Sequence, residues 1–290
     1  MNSETALITG AGSGIGRALA HEFAKHGHPL VLTSRVESEL EEVAEHMKTA
    51  HGVEVHIIAA DLEQPDAPQQ IFEAVQHAGL TIDILVNNAG LGFRGKFWEI
   101  PAEDELAIIR VNIEAVMRLT RLFLPTMVLR NRGGILNTAS VAGFEPGPLL
   151  AVYHASKAFV LSLTEALAVE LEDTELKVTA LCPGPTDTDF FPKADMVQTK
   201  AFQKAHVMAP QEVAEIGYQA FMRGDSTVVA GGSNKALVFA RRFMSEGGQA
   251  RLNKKLYEEA KPKDRKRKRG DIEAKAEQKS NESEEKQLTE

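Results

Sequence analysis

The residues best suited to chemistry in this sequence are Tyr153 and Lys157, in the stretch Tyr-His-Ala-Ser-Lys. Apolar residues recur at helical spacing from about residue 151 to residue 173, so the stretch is predicted to lie at the start of a long helix. Residues four apart share one face of a helix, and a cation within about 4–6 Å of a phenol lowers the phenol pKa. The pair therefore predicts a proton donor, although a helix with a surface Tyr and Lys has the same spacing.

A glycine-rich stretch follows a short apolar strand near the N-terminus. Residues 5–9 predict the strand, Gly10 to Gly16 (GAGSGIG) the loop, and the residues up to about 26 a helix. Glycines permit a tight turn and close backbone approach, and a helix N-terminus offers free N–H groups to a pyrophosphate. This order predicts the first βα unit of a nucleotide-binding sheet, although such a turn can also be a simple connection.

The second predicted strand, residues 30–33, ends at Ser34 and Arg35. In dinucleotide-binding folds an acidic residue at this point binds the ribose 2′-hydroxyl of NAD, whereas an arginine accommodates the 2′-phosphate of NADP. Position 34 is not acidic, so the sequence predicts NADP (NADPH) as cofactor and NAD as the less favoured one. The alternative is that Arg35 is a solvated surface residue.

Apolar strands and amphipathic helices alternate along the rest of the chain. Further strands are predicted near residues 54–59, 83–86, 134–138, 176–181 and 227–230. Strands that alternate with helices of this length indicate a parallel sheet with right-handed crossovers. The sequence therefore predicts an α/β fold: a single doubly wound Rossmann-type domain with a parallel sheet of about seven strands flanked by helices.

Two polar residues occupy informative positions in this pattern. Asn112 lies inside a predicted long helix over residues 103–129, bent at Pro125, where an asparagine suggests a specific polar contact. Ser140 follows the fifth strand, at the carboxyl edge where open α/β sheets bind their ligands. A lone serine there is also common as a turn residue.

Composition excludes several classes of protein. The chain has 290 residues, 43% of them hydrophobic, enough for one large domain with a sizeable core. A single cysteine, Cys182, excludes a disulfide framework and a cysteine-based metal cluster, and no metal site is expected. No apolar run of 18 residues predicts a transmembrane segment, and the start lacks a basic leader, so a cytoplasmic location is expected.

Charge divides the chain near residue 261. Residues 1–260 carry 23 Lys/Arg against 33 Asp/Glu, an unlikely balance for a nucleic-acid binder. We expect residues 1–232 to form the dinucleotide-binding and catalytic domain, residues 233–260 a helical extension with a basic side, and residues 261–290 a charged, disordered tail. The basic run at its start would suit an address, a membrane-surface patch or a nucleic-acid contact, but the acidic segment after it favours an inert solvated tail.

Taken together, these motifs resemble the short-chain dehydrogenase/reductase family over residues 4–232. They stand in the family's order, at about its spacing: Thr9 to Gly16, Asp61-Leu62, Asn87-Asn88-Ala89-Gly90, Asn112, Ser140, Tyr153 to Lys157 and Pro183-Gly184. The resemblance implies that Tyr153 protonates the carbonyl oxygen in reduction. It also implies that Lys157 holds the nicotinamide ribose and lowers the tyrosine pKa, that Ser140 binds the carbonyl, and that Asn112 positions a relay water.

The resemblance also implies a set of cofactor contacts. The glycine loop would hold the pyrophosphate, and Asp61 and Leu62 would contact the adenine. Arg35 resembles the NADP-preferring branch, whereas Ser13 departs from members that carry a basic residue in the glycine loop. The expected contacts are Thr9, Gly10, Ser13, Gly14, Ile15, Gly16, Ser34, Arg35, Asp61, Leu62, Asn88, Ala89, Gly90, Tyr153, Lys157, Pro183, Gly184 and Thr186.

Three functions are compatible with these residues. The first is an NADP(H)-dependent carbonyl reductase or alcohol dehydrogenase for a small hydrophobic substrate, because aromatic residues stand in loops near the predicted site: Phe93, Phe97, Trp98, Phe144, Phe190 and Phe191. The alternative for these aromatic residues is a role in packing. The second is a 3-oxoacyl thioester reductase. The third is a non-catalytic cofactor-binding scaffold whose tail recruits a partner. The family further implies a homo-oligomer, a dimer or tetramer, formed through the helices that contain Asn112 and Tyr153.

Overall fold

Seven parallel strands form one sheet in the order β3-β2-β1-β4-β5-β6-β7. The structure is a computed structural model that describes residues 4–276 and residue 278. The strands are β1 (Ala6–Thr9), β2 (Leu30–Ser34), β3 (Val55–Ala59), β4 (Ile84–Asn87), β5 (Gly134–Thr138), β6 (Lys177–Cys182) and β7 (Thr227–Val229). The predicted fold class, a doubly wound α/β sheet of seven strands, is confirmed.

Helices cover both faces of this sheet. They are α1 (Gly14–Lys25), α2 (Glu37–His51), α3 (Ala67–His77), α4 (Ala102–Ile109), α5 (Val116–Arg130), α6 (Ala151–Glu170), α7 (Phe190–Lys193), α8 (Lys200–Gln203), α9 (Pro210–Arg223), α10 (Gly232–Arg241) and α11 (Glu246–Tyr257). Because successive strand residues point to opposite faces, Ile8 and Leu32 join the core under α1, α2 and α9. Their neighbours Leu7 and Val31 join the core under α3 and α5.

The predicted long helix has an interruption at Asn112. Between α4 and α5, the residues Arg110–Ala115 form a π-helical segment, so the helical chain continues from residue 102 to residue 130 with one widened turn. Pro125 lies inside α5. Widened turns of this kind recur at functional sites, because they turn a side chain away from the regular helical direction.

A chain of buried hydrogen bonds connects helix α6 to the middle of the sheet. The amide of Asn87 donates to Asn137 Oδ1 at 2.9 Å, and the amide of Asn137 donates to Thr164 Oγ1 at 2.9 Å. Both asparagines end or nearly end their strands, and Thr164 lies on α6. These hydrogen bonds fix the position of α6 along β4 and β5.

The segment between β6 and α9 contains more structure than its composition predicts. The sequence suggests an irregular loop up to residue 209, whereas the structure has two one-turn helices there, α7 and α8. Together with side chains from α6 and α11, these two helices form a separate apolar cluster. Its members include Phe191, Phe202 and Tyr257. We call residues 186–209 the lid segment.

The chain beyond residue 260 contacts this lid segment. Residues 271–276 are helical, and the buried Asp187 carboxylate accepts the backbone N–H groups of Gly270 and Ile272 at 3.0 and 2.9 Å. The side chain of Ile272 packs against the apolar cluster of the lid segment. A carboxylate at the N-terminus of a helical turn binds free N–H groups and is favoured by the helix dipole.

The prediction of a disordered tail from residue 261 therefore differs from the structure over residues 261–276. Arg267 also takes part, because its guanidinium donates to the backbone carbonyls of Phe202 and Ala205. Residues 277 and 279–290 of the predicted tail lie outside the described residues. Composition did not indicate these contacts because they are mostly polar, and disorder is inferred from a lack of apolar residues.

Deleting residues 262–290 is expected to lower the free energy of unfolding by about 1–3 kcal/mol, because the buried Asp187 carboxylate loses its N–H partners. Urea unfolding followed by circular dichroism measures this change. Deletion of residues 279–290 alone is the matched control, since it removes none of the contacts described above. Equal stability of the full chain and the 262–290 deletion would show that these contacts contribute nothing.

Candidate active site

A cavity of about 1090 Å³ extends along the carboxyl edge of the sheet, from the glycine loop to the lid segment. This is the edge at which the sequence predicts a ligand. The predicted site residues line it with three exceptions, Thr9, Gly16 and Asn112, which lie behind its wall. The cavity therefore brings the predicted cofactor contacts and the Tyr153 side chain into one space.

The glycine loop is shaped by backbone conformations that favour glycine. Gly10 and Gly14 have φ angles of +66° and +56°, and a Cβ added to Gly16 would lie 2.1 Å from the Gly10 carbonyl oxygen. The chain can therefore pass close to itself and begin α1 directly behind the loop. The first turn of α1 lines the cavity through Gly14 and Ile15, which suits a pyrophosphate bound by backbone N–H groups.

Thr9 does not line the cavity, but it stabilises the backbone that forms the cavity wall. Its hydroxyl accepts the backbone N–H groups of Asn88 and Ala89 at 2.9 and 3.0 Å. The Asn88 amide donates in return to the Thr9 carbonyl at 3.0 Å. These bonds join the carboxyl ends of β1 and β4, two neighbouring strands whose loops both line the cavity.

The end of the cavity near β2 contains two carboxylates that the sequence analysis missed. Arg35 forms an ion pair with Glu63 at 2.8 Å, with 51% of the arginine and 29% of the glutamate side chain exposed. Glu39 extends from α2 toward the glycine loop, since a Cβ added to Gly12 would lie 2.6 Å from its Oε2. No sequence signal marked either carboxylate, because both lie outside the strand end at Ser34 and Arg35.

Tyr153, Lys157 and Ser140 come together at the other end. Lys157 Nζ lies 5.9 Å from the centre of the Tyr153 ring and donates to the Thr138 carbonyl at 2.8 Å. The Ser140 hydroxyl accepts the Ala142 N–H at 3.1 Å and hydrogen-bonds with the Tyr153 side chain. All three side chains line the cavity.

Burial controls the charge states in this corner. It raises the pKa of Tyr153 to about 12, while the hydrogen bond with Ser140 acts in the opposite direction. Burial lowers the pKa of Lys157 to about 8. The prediction of a lowered Tyr153 pKa is therefore wrong for the protein alone, because desolvation by burial outweighs the hydrogen bond with Ser140.

Asn112 fixes the loop that follows β4. Its Oδ1 accepts the Leu91 N–H at 2.8 Å, and its Nδ2 donates to the Leu91 carbonyl and to Ser156 Oγ, both at 3.0 Å. The predicted polar contact thus exists, within the π-helical segment. Its predicted role in positioning a water stays a prediction, since the amide is occupied by the loop.

A buried network around His154 was not indicated by any motif. His154 Nδ1 lies 2.8 Å from the Glu145 carbonyl, and its Nε2 lies 2.8 Å from Tyr257 Oη. Burial lowers the pKa of His154 to about 4, so the ring is neutral. Because a carbonyl can only accept, Nδ1 carries the proton and Nε2 accepts the Tyr257 hydroxyl.

The same network joins the C-terminal helices to the cavity wall. Arg241 of α10 forms a buried ion pair with Glu145 and donates to Asn253 Oδ1 at 3.0 Å. Asn253 of α11 donates to the Pro146 carbonyl at 2.9 Å. The predicted extension therefore builds one wall of the cavity, next to Tyr153.

The aromatic residues predicted near the substrate divide into two groups. Phe93, Phe190 and Phe191 line the cavity, and the Phe190 ring lies 5.1 Å from the Tyr153 ring. Phe97 and Trp98 are exposed instead. The cavity end beside Tyr153 is therefore apolar on the side of the lid segment.

Two other kinds of feature are absent from the described part of the chain. Over residues 4–276 and 278, no group of three or more His, Cys, Asp or Glu side chains is arranged to bind a metal ion. Within the same residues, no helix combines the length and apolar character needed to cross a bilayer.

The chain matches the family model of short chain dehydrogenase over residues 4–198. It is 31% identical over 240 residues to an NADP-dependent 3-hydroxy acid dehydrogenase of Schizosaccharomyces pombe, an alignment covering 79% of this chain and 91% of that protein. It is 39% identical over 184 residues to a very-long-chain 3-oxoacyl-CoA reductase of Rattus norvegicus, covering 62% of this chain and 58% of that protein.

Two solved structures that are similar to this chain are also short-chain dehydrogenases. A short-chain dehydrogenase from Sphingobium yanoikuyae in complex with NADPH has a TM-score of 0.74 at 33% identity, covering 82% of this chain and 94% of that one. A short chain dehydrogenase/reductase from Burkholderia phymatum in complex with NAD has a TM-score of 0.74 at 30% identity, covering 83% and 93%. Similar structures therefore contain either cofactor.

The charge state of Lys157 gives a testable pH dependence. The unfolded chain holds this proton up to about pH 10.5, whereas the folded chain releases it near pH 8. Between these values the unfolded chain binds more protons, so the stability contribution of Lys157 rises with pH. From pH 8 to pH 10 the wild type should gain about 2 kcal/mol relative to Lys157→Met.

Urea unfolding of both proteins without cofactor, at pH 8 and pH 10, measures this difference. Lys96→Met, at an exposed lysine, is the matched control. A stability difference between wild type and Lys157→Met that does not change with pH would contradict a depressed lysine pKa.

Proposed function

The chain belongs to the short-chain dehydrogenase/reductase family, and on that premise we propose that it interconverts a ketone or aldehyde and the corresponding alcohol with NADP(H) as preferred cofactor. One observation carries the proposal. Tyr153, Ser140 and Lys157 meet at one end of a cavity whose other end is the glycine loop. A nicotinamide dinucleotide has this extended shape, with its reactive ring far from its adenosine.

The residues of the cavity suit each part of such a cofactor. The N-terminus of α1 would hold the pyrophosphate, Asp61 and Leu62 the adenine, and Lys157 the nicotinamide ribose. When bound, the cofactor supplies or accepts the hydride. The protein must hold the substrate carbon close to the nicotinamide ring and exclude water, which the lid segment and the buried corner favour.

Tyr153 is the proposed proton donor in reduction. With a pKa of about 12 the phenol is protonated at neutral pH, and an alkoxide is a far stronger base than a phenolate, so transfer to it is favourable. The Ser140 hydroxyl would donate a hydrogen bond to the same oxygen as negative charge develops. The buried Lys157 ammonium then stabilises the phenolate that remains.

The substrate proposed for this corner is hydrophobic. Phe93, Phe190 and Phe191 line the cavity, and Leu150 and Leu256 add aliphatic surface. Burial of apolar substrate surface against these side chains favours binding by roughly 25 cal/mol for each Å² removed from water. A simple ketone or aldehyde with a bulky apolar substituent satisfies these contacts.

A second candidate, reduction of a 3-oxoacyl thioester, is favoured by four lysines that line the same end: Lys193, Lys200, Lys204 and Lys255. Two of these lysines form ion pairs within the protein, Lys200 with Glu258 and Lys204 with Asp264. A thioester carrier with phosphate groups would bring negative charge to these cations. Turnover of 3-oxoacyl thioesters and of ketones with the same chain length distinguishes the two substrates.

We further propose that the chain forms a homo-oligomer through α4, α5 and α6. Exposed apolar side chains are spread over these helices: Leu106, Ile109, Met117, Val128, Leu129, Phe159 and Val169. Contiguous exposed apolar surface of this kind is typical of an interface between subunits.

Tyr153→Phe is expected to bind NADPH nearly as the wild type does but to lose about 10²- to 10⁴-fold in turnover, because the developing alkoxide has no acid to meet. Steady-state NADPH oxidation with the best substrate of a ketone and aldehyde panel measures this loss. Tyr218→Phe is the matched control, because Tyr218 is also buried but its hydroxyl pairs with His28 at 3.1 Å, away from the cavity. Undiminished turnover in Tyr153→Phe would leave the cofactor-binding scaffold as the remaining function.

The ion pair between Arg35 and Glu63 gives opposite expectations for two variants. Arg35→Ala should weaken NADPH binding by about 1.5–3 kcal/mol, because a charge-assisted contact to the 2′-phosphate is lost. Glu63→Gln should strengthen NADPH binding, since it frees the guanidinium and removes a negative charge beside the phosphate. Dissociation constants for NADH, measured by tryptophan or nicotinamide fluorescence, are the internal control, and equal changes for both cofactors would show that Arg35 does not bind the phosphate.

A further inference from the structure

Helix α10 has an apolar face that no other part of the described chain covers. Asn234 and Arg241 are buried on its inner side. The outer side carries Phe239 and, one residue beyond the helix end, Phe243, which are 61% and 79% exposed. Their ring centres lie 5.5 Å apart, so the two phenylalanines form one exposed aromatic pair. Exposed aromatic pairs are unusual on a surface that contacts water alone.

Two further exposed apolar side chains of this region lie at the cavity. Leu237 and Leu252 are both exposed at the surface and line the cavity. Met244 is also exposed, next to Phe243 in the chain. We call these five side chains the C-terminal face: Leu237, Phe239, Phe243, Met244 and Leu252.

Cations accompany the C-terminal face. Lys235 and Arg242 are exposed and lie about one helical turn before and after Phe239. Residues 233–270 carry 13 Lys/Arg against 4 Asp/Glu, whereas the remainder of the chain carries 20 against 37. A basic segment with exposed aromatic residues thus stands out from an otherwise acidic protein.

The basic run at residues 261–269 adds further cations to this segment. Its arginines point toward the protein, where Arg265 contacts Glu259 and Arg269 contacts Asp189. Its lysines at positions 261, 263, 266 and 268 are exposed. The arginines of the run therefore bind the domain, whereas its lysines are exposed to solvent.

We propose that the C-terminal face docks this protein onto the surface of an anionic lipid bilayer. Phenylalanine side chains insert at the boundary between headgroups and acyl chains, while lysine and arginine attract anionic headgroups. Both contributions are present on α10 within one helical turn.

A second copy of the chain fits this face less well. In a two-fold dimer the same patch meets itself, which would place Lys235 and Arg242 against their own copies. A stable protein interface also buries about 800 Å² on each partner, from roughly 20–30 residues. The C-terminal face offers five apolar side chains, enough for shallow insertion into lipid.

Vesicle co-sedimentation with the full-length protein tests the proposal. The protein should bind vesicles of phosphatidylcholine with about a third phosphatidylglycerol, should not bind pure phosphatidylcholine, and should dissociate as salt is raised. Phe239→Ser with Phe243→Ser should lower the partition coefficient at least about tenfold, because both inserting side chains are lost. Lys235→Gln with Arg242→Gln should also lower it and should weaken its salt dependence.

Trp98→Ser is the matched control, because Trp98 is 78% exposed between β4 and α4, outside both the C-terminal face and the proposed subunit interface. Circular dichroism and NADPH binding establish that each variant is folded, and Phe243→Ser alone replaces the double variant if that one fails to fold. Three results would overturn the proposal: no binding to anionic vesicles, binding unchanged by the phenylalanine variants, or a smaller assembly in light scattering after the phenylalanines are replaced. The last result would assign the face to a contact between copies.

Discussion

The position of α6 against the sheet is the constraint on which the site depends, and buried amides set it. The hydrogen bonds from Asn87 to Asn137 and from Asn137 to Thr164 cross from β4 through β5 to the helix. Both asparagines are buried, so sliding α6 along the strands would leave polar groups without partners, at about 1–3 kcal/mol for each. Apolar packing alone would tolerate such a shift more easily, since it is not directional.

The same burial gives the corner around Tyr153 its chemical character. It raises the pKa of Tyr153 and lowers that of Lys157, so burial disfavours the charged form of each side chain relative to water, although Lys157 is still mostly an ammonium at neutral pH. Buried groups of this kind interact more strongly with a charged or polar ligand than they would in water. The surrounding dipoles are already oriented, and little water competes for the same contacts. The Lys157 ammonium has the Thr138 carbonyl as its partner, which keeps it in place for that purpose.

The C-terminal part of the chain completes the cavity that the sheet begins. Arg241, Asn253 and Tyr257 come from α10 and α11, and they attach to the wall around His154 through polar bonds. The two ends of the cavity thereby differ in charge, with Glu39 and Glu63 beside Arg35 at one end and lysines at the other.

The sequence by itself determined the sheet, the glycine loop and the helix that carries Tyr153 and Lys157. These features depend on the spacing of nearby residues: two for a strand, four for a helical pair, and fixed glycine positions for a tight turn. The family resemblance added Ser140 and Asn112 to these features. In the structure both hydrogen-bond with side chains of α6, Asn112 with Ser156 and Ser140 with Tyr153.

Only the tertiary structure decided which distant side chains meet. Glu63 pairs with Arg35, Tyr257 with His154, and Asp187 with the chain after residue 269. It also decided the direction in which the pKa of Tyr153 shifts, because desolvation depends on everything packed around a group and here outweighs the hydrogen bond with Ser140. Contacts between residues 28 to 103 positions apart leave no local periodicity in the chain, since they arise from the packing of whole elements and from polar groups that must find partners once buried.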